Sequence, residues 1–91
     1  MLKKLLGSLR SAKAISAAEE NDAGVLMLAA NRKPEALARF EQAIAADPAF
    51  AAAWANLGVT LWQLRRGDEA VEKFRRALEL DPDNADIRVN L

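Results

Sequence analysis

Sliding the chain against itself by 34 residues lays one half of it on the other. Of the 34 pairs formed between residues 17–50 and 51–84, eleven are identical. Gly24 falls on Gly58, Glu35-Ala36 on Glu69-Ala70, Phe40 on Phe74, Ala43 on Ala77 and Asp47-Pro48 on Asp81-Pro82. Small residues, one large aromatic and a stop signal therefore recur at fixed offsets. A repeat of this length restricts the chain to a row of like supersecondary units. One such unit cannot bury its apolar face alone, so neighbours must stack on it.

The second copy shows what the unit is. Trp54, Leu57, Leu61 and Leu64 make one stripe at helical spacing. Gly58 interrupts that stripe, and a glycine inside a helix costs about 1 kcal/mol against alanine. Close approach of a neighbouring helix is the expected compensation. Ala70 and Ala77 are small for the same reason on the following helix, while Phe74 fills the centre of the hairpin. Arg66-Gly67-Asp68 reads as the turn between the two. Asp81-Pro82 ends the second helix, because the residue before proline disfavours the α region and proline suits the opening of a new helix.

The first copy follows the same plan. Ser16-Ala17-Ala18-Glu19 fits a capping box, which starts a helix near residue 17. Its hairpin face is expected to carry Ala23, Gly24, Met27 and Ala30, followed by a turn at Asn31-Arg32-Lys33. Pro34 then opens a helix with Glu35 near its positive end. That helix runs to about Ala46, with Ala36, Leu37, Phe40, Ala43 and Ile44 inward. Glu20 stands where Trp54 stands in the second copy. This predicts a first unit that is looser, or shielded by the residues before it.

Trp54, Leu57, Gly58, Leu61, Ala70, Phe74, Ala77 and Pro82 together resemble the tetratricopeptide repeat (TPR) family, over residues 17–84. The resemblance implies an all-α fold, a right-handed superhelix of helical hairpins. Hairpins are expected at 17–50 and 51–84, with an extra N-terminal helix at 1–15 and the start of a third repeat or a capping helix at 85–91. It also implies that peptides or partner helices bind along a concave surface lined by the first helices of the hairpins. On this sequence those side chains are Asn21, Val25, Leu28 and Ala29, then Ala55, Asn56, Val59, Trp62 and Gln63, then Asp86, Val89 and Asn90. TPR proteins that grip chaperone C-terminal carboxylates place lysine, arginine and asparagine there. Only Asn56 matches, and Asp86 puts an acid where a cation is needed, so an apolar ligand is expected. Trp62 is the expected anchor, since Trp54 already supplies the signature aromatic.

Met1–Ala14 reads as an amphipathic helix, with Leu2, Leu5, Leu6 and Leu9 on one side and Lys3, Lys4, Arg10 and Lys13 largely elsewhere. Three readings stay open. It is a packing helix, since Leu2, Leu6 and Leu9 lie 34 residues before Ala36, Phe40 and Ala43. It is an interfacial membrane helix, or it is a targeting segment. The leucine stripe is also the expected self-association surface, docking in the groove of the same or another chain.

Composition narrows the chemistry. The chain has no histidine and no cysteine, which removes the commonest acid–base group, thiolate metal sites and disulfides. Nothing is left to activate the hydroxyls of Ser8, Ser11, Ser16 or Thr60. Glu19, Glu20 and Asp22 cluster where a helix dipole stabilises acids. Asp81, Asp83 and Asp86 lack the glycine and the downstream glutamate of a calcium loop. Residues 19–91 carry 9 basic against 13 acidic side chains, a balance that argues against a general nucleic-acid binder. Arg65-Arg66 and Arg75-Arg76 have Glu69, Glu72 and Glu79 at helical neighbour spacing, as solvated, salt-bridged faces do. No apolar run reaches the 18 or so residues of a membrane span. The expectation is a cytoplasmic, non-enzymatic scaffold for a protein or peptide partner, without cofactor, metal or nucleic acid. The alternatives are a homo-oligomerising module and a peripheral membrane adaptor held by residues 1–14.

Overall fold

The computed structural model describes residues 15–83. They form four helices, α1 (Ala17–Ala29), α2 (Lys33–Ala46), α3 (Ala51–Gln63) and α4 (Gly67–Leu80). The helices pair as hairpins, α1 with α2 and α3 with α4; α2 packs on α3, and α1 also touches α3. The expected N-terminal helix at 1–15 lies outside the described residues apart from Ile15, as does the expected segment at 85–91.

Local chemistry sets the helix ends. Ser16 Oγ accepts the Glu19 backbone N–H at 3.1 Å, and its hydroxyl donates to Glu19 Oε1 at 3.1 Å. One of the donors that a helix start leaves orphaned is thereby satisfied. Neither Arg32 nor Arg66 caps the helix after it through a side chain. Each instead pairs with the carboxylate three residues on: Arg32 Nε with Glu35 Oε2 at 2.6 Å, and Arg66 with both Glu69 oxygens at 2.9 and 2.7 Å. The Arg66 hydrogen bond holds the Glu69 carboxyl below the usual carboxylate range. α2 begins at Lys33 with Pro34 second, where the missing N–H would have had no partner. Asp47 and Asp81, each before a proline, leave the helix with φ near −145° and −144°.

Both hairpin turns close the same way. The N–H of Arg32 bonds Met27 O at 2.8 Å and that of Asn31 bonds Leu28 O at 3.0 Å. In the second hairpin Arg66 bonds Leu61 O at 2.9 Å and Arg65 bonds Trp62 O at 3.0 Å. This is the Schellman pattern, which requires a left-handed residue just past the helix. Asn31 and Arg65 supply it, each with φ 61°. Gly67, expected within the turn, instead opens α4 with negative φ. The strained position is the arginine, not the glycine.

The core holds Ala36, Phe40 and Ala43 from α2, Leu57 and Leu61 from α3, and Ala70, Phe74 and Ala77 from α4. Leu37 and Ile44 are half-buried. The two helix glycines have a direct explanation. A Cβ built on Gly58 would lie 2.9 Å from Phe74 Cε1, and one on Gly24 would clash harder with the Phe40 ring. The close approach at each glycine comes from a phenylalanine ring. Ala30, expected on the hairpin face, is exposed: it is the residue just past the end of α1, where the helix has stopped.

Two stability outcomes follow. Gly24→Ala and Gly58→Ala each lower stability in urea titration, Gly24→Ala more, because overpacking of about 1–3 kcal/mol outweighs the helix-propensity gain. Arg65→Gly raises it by about 0.5–1 kcal/mol by relieving the left-handed conformation, and Asn31→Gly raises it less, since asparagine tolerates that region. A destabilised Arg65→Gly would contradict the assignment of strain.

Candidate functional site

α1 and α3 lie side by side and present the residues expected to line a binding surface. Val25 is 45% exposed on α1, and Trp62 is 63% exposed in the last turn of α3. Between them Leu28, Ala55 and Val59 are half-buried and pack against the core. Ala29 and Gln63 are exposed at the edges. Asn21 is buried, and Asn56 Nδ2 donates to Asn21 Oδ1 at 3.0 Å. The two asparagines thus clasp α1 to α3, 35 positions apart. Leu2, Leu5, Leu6, Leu9, Asp86, Val89 and Asn90 lie outside the described residues.

Trp62 meets α4 along one edge. A Cβ on Gly67 would sit 3.4 Å from its Cζ3 atom, an ordinary van der Waals distance, so the ring lies alongside the start of α4. The indole stays mostly in solvent. No sequence signal tied Gly67 to Trp62, because the contact runs from the end of one helix to the start of the next.

A second surface was not anticipated. α2, α3 and α4 enclose an open groove of about 330 Å³, floored by Leu37, Ile44, Trp54, Leu57 and Leu61 and edged by Arg66, Glu69 and Lys73. Trp54 Nε1 donates to the Pro48 carbonyl at 2.8 Å, so its polar atom is satisfied by the turn between hairpins. Among the described residues no group of three or more carboxylates, histidines or cysteines is placed to hold a metal ion. Among them also, no helix is long and apolar enough to cross a membrane.

The Trp54 position carries two chemistries in the two hairpins. Over the indole lie Lys73 Nζ, 5.6 Å from the ring centroid, and the Arg76 guanidinium carbon at 6.0 Å. Thirty-four residues earlier the same three places hold Glu20, Arg39 and Gln42. Arg39 Nη1 donates to Glu20 Oε2 at 3.2 Å, and the Gln42 amide, turned to donate, reaches the same oxygen at 2.9 Å. Glu20 is only 7% exposed. A cation–π cluster in one hairpin is replaced by a charge-paired carboxylate in the other. Arg39→Ala therefore costs about 1–2 kcal/mol, since a buried acceptor keeps only Gln42. Lys73→Ala costs about 0.5 kcal/mol, the loss of an exposed cation–π contact. Equal losses in denaturant titration would mean that Glu20 does not depend on Arg39.

Comparison with known proteins bears on most of the described region. The family model for the tetratricopeptide repeat matches residues 21–85, well over half of the 91-residue chain. No curated protein matches the chain. TPR repeats generally mediate protein–protein interaction, and the family is typically a non-catalytic scaffold. With paired helical hairpins and a phenylalanine ring seated on a helix glycine in each, this chain belongs to the tetratricopeptide repeat family.

Proposed function

We propose that the α1–α3 face takes the apolar flank of a peptide or an amphipathic helix, as the binding surface of a non-catalytic interaction module. The observation that supports this most is Trp62, 63% exposed beside the start of α4. Tryptophan is enriched among residues that dominate interface energies. Val25 extends the apolar surface from α1, while half-buried Leu28 and Val59 form its floor. The Asn21–Asn56 bond fixes how far apart the two helices stand. Apolar contact supplies affinity here, and the exposed Gln63 at the edge offers a hydrogen bond to a partner.

Peptides selected from a displayed library of apolar-faced helices, titrated by calorimetry, provide the test. Trp62→Ala weakens them at least tenfold, which corresponds to about 1.4 kcal/mol, and Val71→Ala on α4 leaves them within twofold. Selected peptides indifferent to Trp62→Ala but weakened by Val71→Ala would move the site off this face.

A further inference from the structure

The turn of the second hairpin sets its arginine and its glycine in an order that local structure does not favour. Arg65 takes the left-handed conformation, with φ 61°, while Gly67 opens α4 two residues later with negative φ. That conformation costs a residue with a Cβ roughly 1–2 kcal/mol, and glycine would adopt it freely. In the first hairpin the same turn reads Asn31-Arg32-Lys33, and asparagine tolerates the left-handed position. The repeat therefore offers a comparison within one chain. The first hairpin joins a half-buried Leu28 to Asn31, and the second joins an exposed Trp62 to Arg65. The exposed aromatic and the strained cation arrive together, with the Arg65 N–H bonded to the Trp62 carbonyl at 3.0 Å.

Arg65 is exposed and makes no ion pair among the described residues. The cations beside it are otherwise engaged, Arg66 with Glu69 and, in the first turn, Arg32 with Glu35; Lys33 is half-buried. Of the acids that follow, Glu69 is held by Arg66, and Asp68 sits at the positive start of α4, which stabilises it. α3 carries no charged residue, and α1 carries none after Asp22. Two short connections reverse the chain twice, so α1 and α3 run the same way and both hairpin turns lie at one end of their face. The face thus begins on the exposed acids Glu19 and Asp22, is uncharged along its length, and ends past Trp62 on Arg65. We propose that Arg65 is a specificity residue of this face, and that the partner segment carries an aspartate or glutamate beside the apolar group that covers Trp62. The inference rests on the reading of the α1–α3 face as the binding surface and adds the chemistry and direction of its partner. A guanidinium meets a carboxylate through two parallel hydrogen bonds, and an apolar group on the indole shields that pair from water. Acids at the other end of the segment would meet Glu19 and Asp22, so its acidic end lies at the hairpin turns. Strain kept in a residue next to an exposed anchor is the form in which binding sites store a cost to stability.

The test selects displayed helical peptides, with a fixed apolar face and randomised flanks, on the full-length protein and its variants. On the unaltered protein, aspartate and glutamate rise at least threefold over the unselected library on one flank. On Arg65→Gly, which relieves the turn and so stays folded, that rise disappears while the apolar face is still selected. Calorimetry then compares one selected acidic peptide with its glutamine counterpart. Arg65→Gly weakens the acidic peptide at least fivefold and the glutamine peptide less than twofold, and high salt removes the difference between the two peptides. Flanks without acids, acids retained on Arg65→Gly, or equal weakening of both peptides would overturn the proposal. Trp62→Ala separates it from the reading beneath it. Peptides that bind Trp62→Ala as tightly as the unaltered protein, or no peptide recovered at all, would remove the face itself as the site. Peptides that need Trp62 but are indifferent to Arg65→Gly would leave the face in place and strike Arg65 alone.

Discussion

A phenylalanine ring resting on a helix that has no side chain beneath it sets the spacing of this molecule. Phe40 lies against Gly24 and Phe74 against Gly58, so each hairpin closes to the thickness of one aromatic ring. Alanine on the second helix keeps the rest of the contact equally close, with Ala36, Ala43, Ala70 and Ala77 all fully buried. Dispersion attraction falls off steeply with separation, which is why small residues and one ring can replace a larger core. The helix propensity sacrificed at each glycine is recovered in that contact. What the hairpins cannot do is close their outer sides, and the stacking of α2 on α3 follows from that.

The two hairpins solve one further problem differently. Each has a residue in the first helix that faces a basic or polar pair on the second. The second hairpin uses Trp54 under Lys73 and Arg76, and the first uses Glu20 with Arg39 and Gln42. An indole gains from apolar contact and from the cations over its face, whereas a buried carboxylate depends on donors. The pair on the second helix suits both, since arginine and lysine serve either partner. The scaffold therefore tolerates a change of chemistry at this position without a change of backbone.

Much of this was readable from residue spacing. Gly24, Gly58, Phe40, Phe74 and the Asp-Pro pairs marked the helices, their order and their ends, because each acts through backbone geometry or close packing. The spacing sets Gly67 within the turn, and glycine is the usual left-handed residue of such turns, yet the Schellman position falls on Arg65. Alanine's size fits either side of a helix, so residue type alone does not tell that Ala30 is exposed past the end of α1. Of the groove residues, Val25 and Trp62 are exposed, but Asn21 is bonded to Asn56, a pairing across two hairpins that no local pattern announces. The partners of Glu20 were within reach of the sequence: the 34-residue register that exposed Glu20 as the odd residue also aligned Arg39 and Gln42 with Lys73 and Arg76.

The hydrogen bond from the Trp54 indole to the Pro48 carbonyl has a bearing on how the array melts. Pro48 belongs to the turn that joins the hairpins, and Trp54 belongs to the second of them. The bond ties the joint to the body of its neighbour, in a site where Leu37 and Ile44 of the first hairpin line the same groove. In repeat proteins the cooperativity of unfolding is carried by such nearest-neighbour couplings more than by the repeats themselves. In the first hairpin Glu20 stands in the corresponding place and pairs with Arg39 instead. The joint at Pro48 is thus braced by a side chain of the second hairpin as well as by the packing of α2 on α3.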